Sequence, residues 1–279
     1  MKTFGLLGVA ILIGGEALLL AGVPFVTTWF TPIMWTGYII AADAVIAHRI
    51  GTSYLTHRRR QFALMAVLSV LSWLIFEVYN LRLQNWIYKG LPESALERNA
   101  GFFWSFATIT PALFITADLL GAFGLPRPRA GQAVSPNPTW LSISFVAGLA
   151  CVAIPPLLPL QTARFTFIFV WIGFILLLEP INFRNGAPSL YREWLEGRGH
   201  RVGQFLLAGF ICGLLWEAWN YQALLRDGTI WIYTIPDELR IFNLHYGAMP
   251  LLGMLGFPPF ALECFAIYHF LRRALMADR

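Results

Sequence analysis

Eight stretches of this chain are apolar for long enough to cross a bilayer, near residues 4–22, 32–48, 61–81, 102–121, 140–160, 165–183, 204–224 and 248–271. A hydrocarbon core of about 30 Å needs about 20 helical residues. Inside it every backbone polar group must find its partner within the chain, so the spans are helices. The expectation is an all-α polytopic transmembrane bundle of about eight helices. The second span is short, and the last is expected to break at Gly256, Pro258 and Pro259. A mean hydropathy of +0.62, with 13% charged residues, places the chain outside the soluble classes. The apolar run after Lys2 is interrupted by Glu16 and has no small-residue cleavage site, so it reads as the first span rather than a cleaved leader.

Basic residues set the orientation. With the N-terminus inside, 14 of the 20 Lys and Arg residues fall on the cytoplasmic side and 6 (Arg82, Lys89, Arg98, Arg164, Arg226, Arg240) on the other. The excess of Lys and Arg in cytoplasmic loops then predicts both termini in the cytoplasm, and the expected location is the cytoplasmic (inner) membrane. The net charge of +5 therefore describes loops facing lipid head groups, and no nucleic-acid signal is present.

The chain writes one pattern twice. LSWLIFEVYNLRLQNWIYKGLPE (71–93) and CGLLWEAWNYQALLRDGTIWIYTIPDE (212–238) each carry a Glu, an Asn three residues on, then WIY and a proline followed by an acid. WTGYIIAADAVIAHR (35–49) matches WIGFILLLEPINFR (171–184), setting Asp43 against Glu179, and ITPALFITAD (109–118) loosely parallels FPPFALE (257–263). The reading is two parallel four-helix repeats, residues 1–122 and 139–279, joined by a Pro-rich cytoplasmic linker at 123–138.

Seven acids sit inside the predicted spans with no Lys or Arg beside them: Glu16, Asp43, Glu77, Asp118, Glu179, Glu217 and Glu263. At about 2.5 to 3.5 kcal/mol for a carboxylate near a helix centre, all seven would cost up to about 20 kcal/mol. Interhelical hydrogen bonds return only about 0.6 to 2 kcal/mol each. Burial without a cation disfavours the charged form, so several are expected to serve as neutral acids able to donate a proton. Glu77 with Asn80, Glu179 with Asn182, and Glu217 with Asn220 share a spacing that stacks both side chains on one helix face, where the amide could orient the carboxyl. The other reading of these pairs is polar glue between helices. Glu16 and Asp118 lie near helix ends and read as structural.

Trp29, Trp35, Trp104 and Trp140 read as interfacial belt residues. Trp86, Tyr88, Trp231 and Tyr233 recur just after each acid-bearing helix, where they either belong to that belt or close over a pocket floored by the Glu and Asn pairs. Cys151, Cys212 and Cys264 lack ligand or disulfide spacing and read as packing residues. The five histidines show no metal-ligand spacing, so neither metal nor cofactor is expected.

Trp216 with Glu217, Trp231 with Tyr233, and the segment from Pro259 to Glu263 resemble the motifs of polytopic isoprenoid cyclases, the lycopene cyclases and the fungal membrane-bound meroterpenoid cyclases. Glu77, Trp86 and Tyr88 resemble them in the first half. PPFALE lacks the Pro-x-Glu-Glu of the lycopene cyclases, and those families have six or seven helices. The resemblance implies cyclisation, isomerisation or hydration of a hydrophobic lipid or isoprenoid, begun by a protonated carboxyl. Glu77 and Glu217 would be acid and base, Asp43 and Glu179 a second tier, and Asn80, Asn220, Asn182, Trp86, Tyr88, Trp216, Trp231, Tyr233 and Glu263 the substrate contacts. Two other classes fit the same acids: a proton-coupled small-molecule carrier, and a non-catalytic lipid-binding or scaffold subunit. Neither substrate nor oligomeric state follows from the sequence.

Overall fold

The computed structural model describes residues 3–127, 131–135, 137–236, 238, 240 and 244–276. Lys2, Arg129 and Arg279 of the orientation count, and part of the 123–138 linker, lie outside them. The chain is an all-α bundle and a multi-pass membrane protein, with eight helical segments among the described residues long and apolar enough to span a bilayer. The first half runs α1 (Thr3–Leu20), α2 (Pro24–Ile50), α3 (Tyr54–His57), α4 (Arg59–Leu83), β1 (Trp86–Lys89) and α5 (Ala95–Ala122). The second runs α6 (Pro138–Ala153), α7 (Leu160–Ala163), α8 (Phe167–Arg184), α9 (Leu190–Leu195), α10 (His200–Leu224), β2 (Ile230–Tyr233), the two-residue strands β3 (His245–Tyr246) and β4 (Met249–Pro250), and α11 (Phe257–Met276).

The second span is longer than expected. Pro24 opens α2, where a missing N–H costs nothing. The helix bends at Trp29, whose dihedrals (φ −113°, ψ 25°) are not helical, before continuing past Pro32. The last span keeps its helix too. A 3-10 turn at Leu251–Gly256 runs into α11, and Pro258 and Pro259 fall in the first turn, whose N–H groups have no intrahelical acceptor. The predicted break is thus a helix start.

Helices α1 and α6 lean on α2 and α8 from outside, and glycines allow it. A Cβ on Gly8 would sit 2.5 Å from Ala41 N and 2.7 Å from Gly37 O, and one on Gly148 would collide with the backbone of Leu177. Such close approach supplies the dispersion contact that holds helices together in lipid. Outward-facing Ile13, Leu20, Val78, Leu81, Ile143 and Val146 are exposed, as a lipid-facing surface requires. The inner helices α2, α4, α5, α8, α10 and α11 enclose the core.

The two ends of the bundle differ. At one, Asp118 near the end of α5 pairs with Arg58 (3.3 Å) and Arg201 (2.9 Å), and Arg49 donates to the Ala122 carbonyl. Asp118 is therefore an ion-paired residue, contrary to the reading that no base accompanies it. At the other end β1 and β2 pair antiparallel, joining the two halves.

Candidate functional site

The strand end is built by two sharp exits. Gln84, in the left-handed conformation (φ 52°), ends α4, and Asp227 (φ 54°) and Gly228 follow α10, so both chains fold back across the bundle. The register sets Trp86 opposite Tyr233 and Tyr88 opposite Trp231. Side chains alternate along a strand and opposed residues share a face, so all four rings lie on one side of the ribbon. Asn80 and Asn220 grip the ribbon from beneath. Asn80 Nδ2 donates to the Trp86 carbonyl (2.8 Å) and its Oδ1 accepts from Asn85 and Trp86 N–H. Asn220 Nδ2 donates to the Trp231 carbonyl (2.9 Å) and its Oδ1 accepts from Trp231 N–H (3.1 Å). The amides therefore hold strand backbone rather than orient the neighbouring carboxyls.

Phenols and indoles hold the carboxyls instead. Glu77 Oε1 accepts from Tyr88 OH (2.6 Å), Trp73 Nε1 (2.7 Å) and Trp86 Nε1 (3.2 Å). Glu217, fully buried on α10, accepts from Tyr233 OH (2.7 Å), which in turn receives Trp231 Nε1 (2.7 Å), and Glu217 Oε2 has no partner. Burial first, and then the neighbouring Glu77 or Glu217 carboxyl, pushes the Tyr88 and Tyr233 phenols well above their ordinary value. Both stay protonated donors.

Beneath the ribbon lies a cavity of about 120 Å³. Of the 21 described residues that line it 13 are aromatic, seven of them tryptophans, and none is charged or a histidine. Trp86, Tyr88, Trp216, Trp231 and Tyr233 line it as expected of substrate contacts, but Glu77 and Glu217 do not. Neither acid is in the lining; each instead holds lining rings by their polar edges, Glu77 those of Trp73, Trp86 and Tyr88, and Glu217 that of Tyr233. This corrects the expectation of a polar floor. A floor of two carboxylates would need water or a cation, and the phenols meet that need from the side.

The remaining candidates lie elsewhere. Asp43 takes Ser53 OH (2.6 Å), Tyr54 N–H (2.9 Å) and Leu55 N–H (3.1 Å), and Glu179 takes Ser189 OH (2.7 Å) and Tyr191 N–H (3.1 Å). Each carboxyl satisfies the free N–H groups that open a short helix, α3 or α9, far in sequence from the ribbon and outside the cavity. Asn182 donates to the Ala266 carbonyl (2.9 Å) on α11, tying α8 to it. Glu263 is fully buried, and neither oxygen accepts a hydrogen bond of normal geometry from the described residues. It follows Pro259 by four residues, whereas Asp118 follows Pro111 by seven and sits in the arginine cluster, so the loosely paralleled acids do not share a setting. With its amide turned to suit both partners, Gln222 donates to both Glu16 oxygens at 3.1 Å.

Sequence reasoning missed the deep wall. Trp29 and Trp35, read as belt residues, are 6% and 1% exposed and line the cavity, as do Trp73, Trp171, Phe257 and Phe260. Trp104 also points inward, donating to Thr36 (3.0 Å), while Trp140 stays exposed against Tyr191. The signal was present in the matched WTGY (35–38) and WIGF (171–174), which pair Trp35 with Trp171. Comparison with family models, curated proteins and solved structures finds no match to this chain.

Proposed function

We propose that this chain is a membrane enzyme that acts on a hydrophobic lipid or isoprenoid in the aromatic cavity, by cyclisation, isomerisation or hydration begun with a proton. The observation that carries the reading is that two intramembrane carboxyls reach the walls of one apolar cavity through phenols, Glu217 through Tyr233 and Glu77 through Tyr88. Tyr233 gives its proton to an alkene carbon of the substrate as Glu217 replaces it, leaving a carbocation and the Glu217 carboxylate. Ring faces stabilise the cation. A proton then leaves a neighbouring carbon through Tyr88 to Glu77, its C–H electron pair forming the new double bond. Glu217 Oε2, which accepts no hydrogen bond from the described residues, carries the proton that a turn of the carboxyl presents to the Tyr233 oxygen, and the three donors on Glu77 suit an anionic acceptor. In the hydration variant a water oxygen takes the cation and Glu77 takes the proton that this water sheds.

The same reading takes residues 1–122 and 139–279 as copies of one four-helix unit, each bringing one carboxyl, and the arginine-rich end as cytoplasmic. Comparative lipid extracts of cells with and without the chain test it. A new cyclised, isomerised or hydrated species that disappears with Glu217→Gln supports the enzyme, and identical extracts overturn it. Glu263, fully buried without a hydrogen bond of normal geometry from the described residues, favours a second reading as a proton-coupled carrier. That reading requires uptake into proteoliposomes driven by a pH gradient.

A further inference from the structure

Among the described residues, two buried indole N–H groups of the cavity wall have no partner. Trp35 Nε1 on α2 and Trp171 Nε1 on α8 are buried without an acceptor, and both residues line the cavity. Thr31 Oγ1, one turn before Trp35 on the same face of α2, is buried and unpartnered as well. Three other indoles of the wall differ: the N–H groups of Trp73, Trp86 and Trp231 are satisfied by Glu77 or Tyr233. An indole N–H can only donate, and a buried donor left unmade is costly. The tightly packed surroundings of Trp35, with Trp216 at 4.8 Å and Trp219 at 4.9 Å, contribute ring carbon and no acceptor.

We propose that the cavity binds a neutral lipid whose head is a flat ring bearing two carbonyl oxygens, a quinone with an isoprenoid or alkyl tail, and that Trp35 and Trp171 donate to those oxygens. Three observations select this class. The lining holds no Lys, Arg or His among the described residues, which leaves a phosphate or carboxylate without a counter-charge there. The wall is mostly aromatic, which suits a flat conjugated ring over a compact polar one. The unpartnered donors come from the two halves of the chain at matching places, with Trp216 and Phe257 between them (ring centroids Trp35 to Trp216 4.8 Å, Trp216 to Phe257 5.9 Å, Phe257 to Trp171 6.5 Å), and a ligand with two acceptors supplies one to each half. A plain hydrocarbon leaves both indoles unmade. The assignment rests on the cavity being the ligand site, as in the proposed enzyme, but not on the proton chemistry.

Its test is binding, not turnover. The full chain in lipid nanodiscs is titrated with a 1,4-benzoquinone carrying a decyl tail, with squalene and a prenyl phosphate as competitors. The expected result is saturable binding that neither competitor displaces, with Trp35→Phe and Trp171→Phe each weakening it about tenfold and Trp104→Phe, whose indole already donates to Thr36, leaving it unchanged. Equal competition by squalene, or wild-type affinity in both variants, overturns the proposal. Should either variant fail to fold, the carbonyl stretch of quinone bound to the unaltered chain decides. A shift to lower frequency marks the donated bonds, and an unshifted band overturns them. Quinone binding without any altered lipid in cell extracts would keep this inference and remove the enzyme reading, and the reverse pair of results would do the opposite.

Discussion

Asn80 and Asn220 make the same two bonds to equivalent residues: each amide donates to the carbonyl of the tryptophan in its WIY segment, Trp86 or Trp231, at 2.8 and 2.9 Å, and accepts from that residue's N–H at 3.1 Å in both cases. A side-chain amide that offers one donor and one acceptor imitates a neighbouring strand, and so it completes a ribbon only four residues long on each side. The Asn three residues after each Glu thus fixes the lid that carries the phenol to that Glu.

Replacing Asn220 with Ala removes both bonds in a fully buried place, and the loss of stability should be about 2 to 4 kcal/mol. Asn80→Ala should cost less, because Asn80 is only half-buried and water can reach the freed groups. Detergent-solubilised unfolding midpoints of the two variants check the order. Equal midpoints for Asn220→Ala and the unaltered chain would remove the clamp from the argument.

Tyr233→Phe removes the hydroxyl that donates to Glu217, while Tyr88→Phe leaves Glu77 with two indole donors. On the proposed mechanism Tyr233→Phe lowers lipid conversion about 10²-fold or more, as loss of a positioned acid does. Tyr88→Phe should slow it as well, with the smaller change in thermal stability of the two. Mass spectrometry of lipid extracts and melting in detergent read the two effects separately. Full conversion by Tyr233→Phe would place the proton route elsewhere.

The spans were legible because apolar length against bilayer thickness is a one-dimensional quantity, and residues 61–81 and 204–224 recur as α4 and α10 almost to their ends. The repeated Glu, Asn and WIY were legible as repetition. What they touch was not, because partners across the bundle depend on the exits at Gln84 and Asp227, whose left-handed turns nothing in the hydrophobic pattern marks. Hydropathy also cannot tell an indole facing lipid from one facing an internal cavity. Trp35 looked like a belt residue for that reason, and its match with Trp171 was the only clue to its burial. The roles of Asp43 and Glu179 were hidden by the same limit, since the N–H groups they satisfy belong to short helices beyond the span ends.

Asp43→Ala strips three donors, Ser53 OH and the Tyr54 and Leu55 N–H groups, of their common acceptor. The expected cost is about 1 to 3 kcal/mol, because buried donors are left unmade at the start of α3. Glu179→Ala should behave likewise at α9. Neither change should alter the cavity, so affinity for a cavity ligand is expected to stay within about twofold of the unaltered chain in the variant that remains folded. Unfolding midpoints measured beside ligand binding separate the two effects, and a large loss of binding with unchanged stability would return these acids to the site.

The two lid phenols give the protein an alkaline limit. Burial first, then the adjacent carboxyl, raises Tyr88 and Tyr233 well above the ordinary phenol value of 10.0, so the folded chain keeps both protonated where an unfolded chain ionises them. Their contribution to stability is whole below pH 10.0 and falls as pH climbs above it, by up to about 1.4 kcal/mol per pH unit for each phenol. Phenylalanine at either position removes that group's share of the slope. The check is a series of unfolding midpoints between neutral and strongly alkaline pH, read with the ultraviolet absorbance of phenolate in the folded protein. Tyr88 and Tyr233 should ionise only as the fold is lost, together with the phenol of Tyr54, which burial raises as well. Their ionisation in the intact fold near the ordinary value would show that the lid is open to water and that the phenols are not sealed against Glu77 and Glu217.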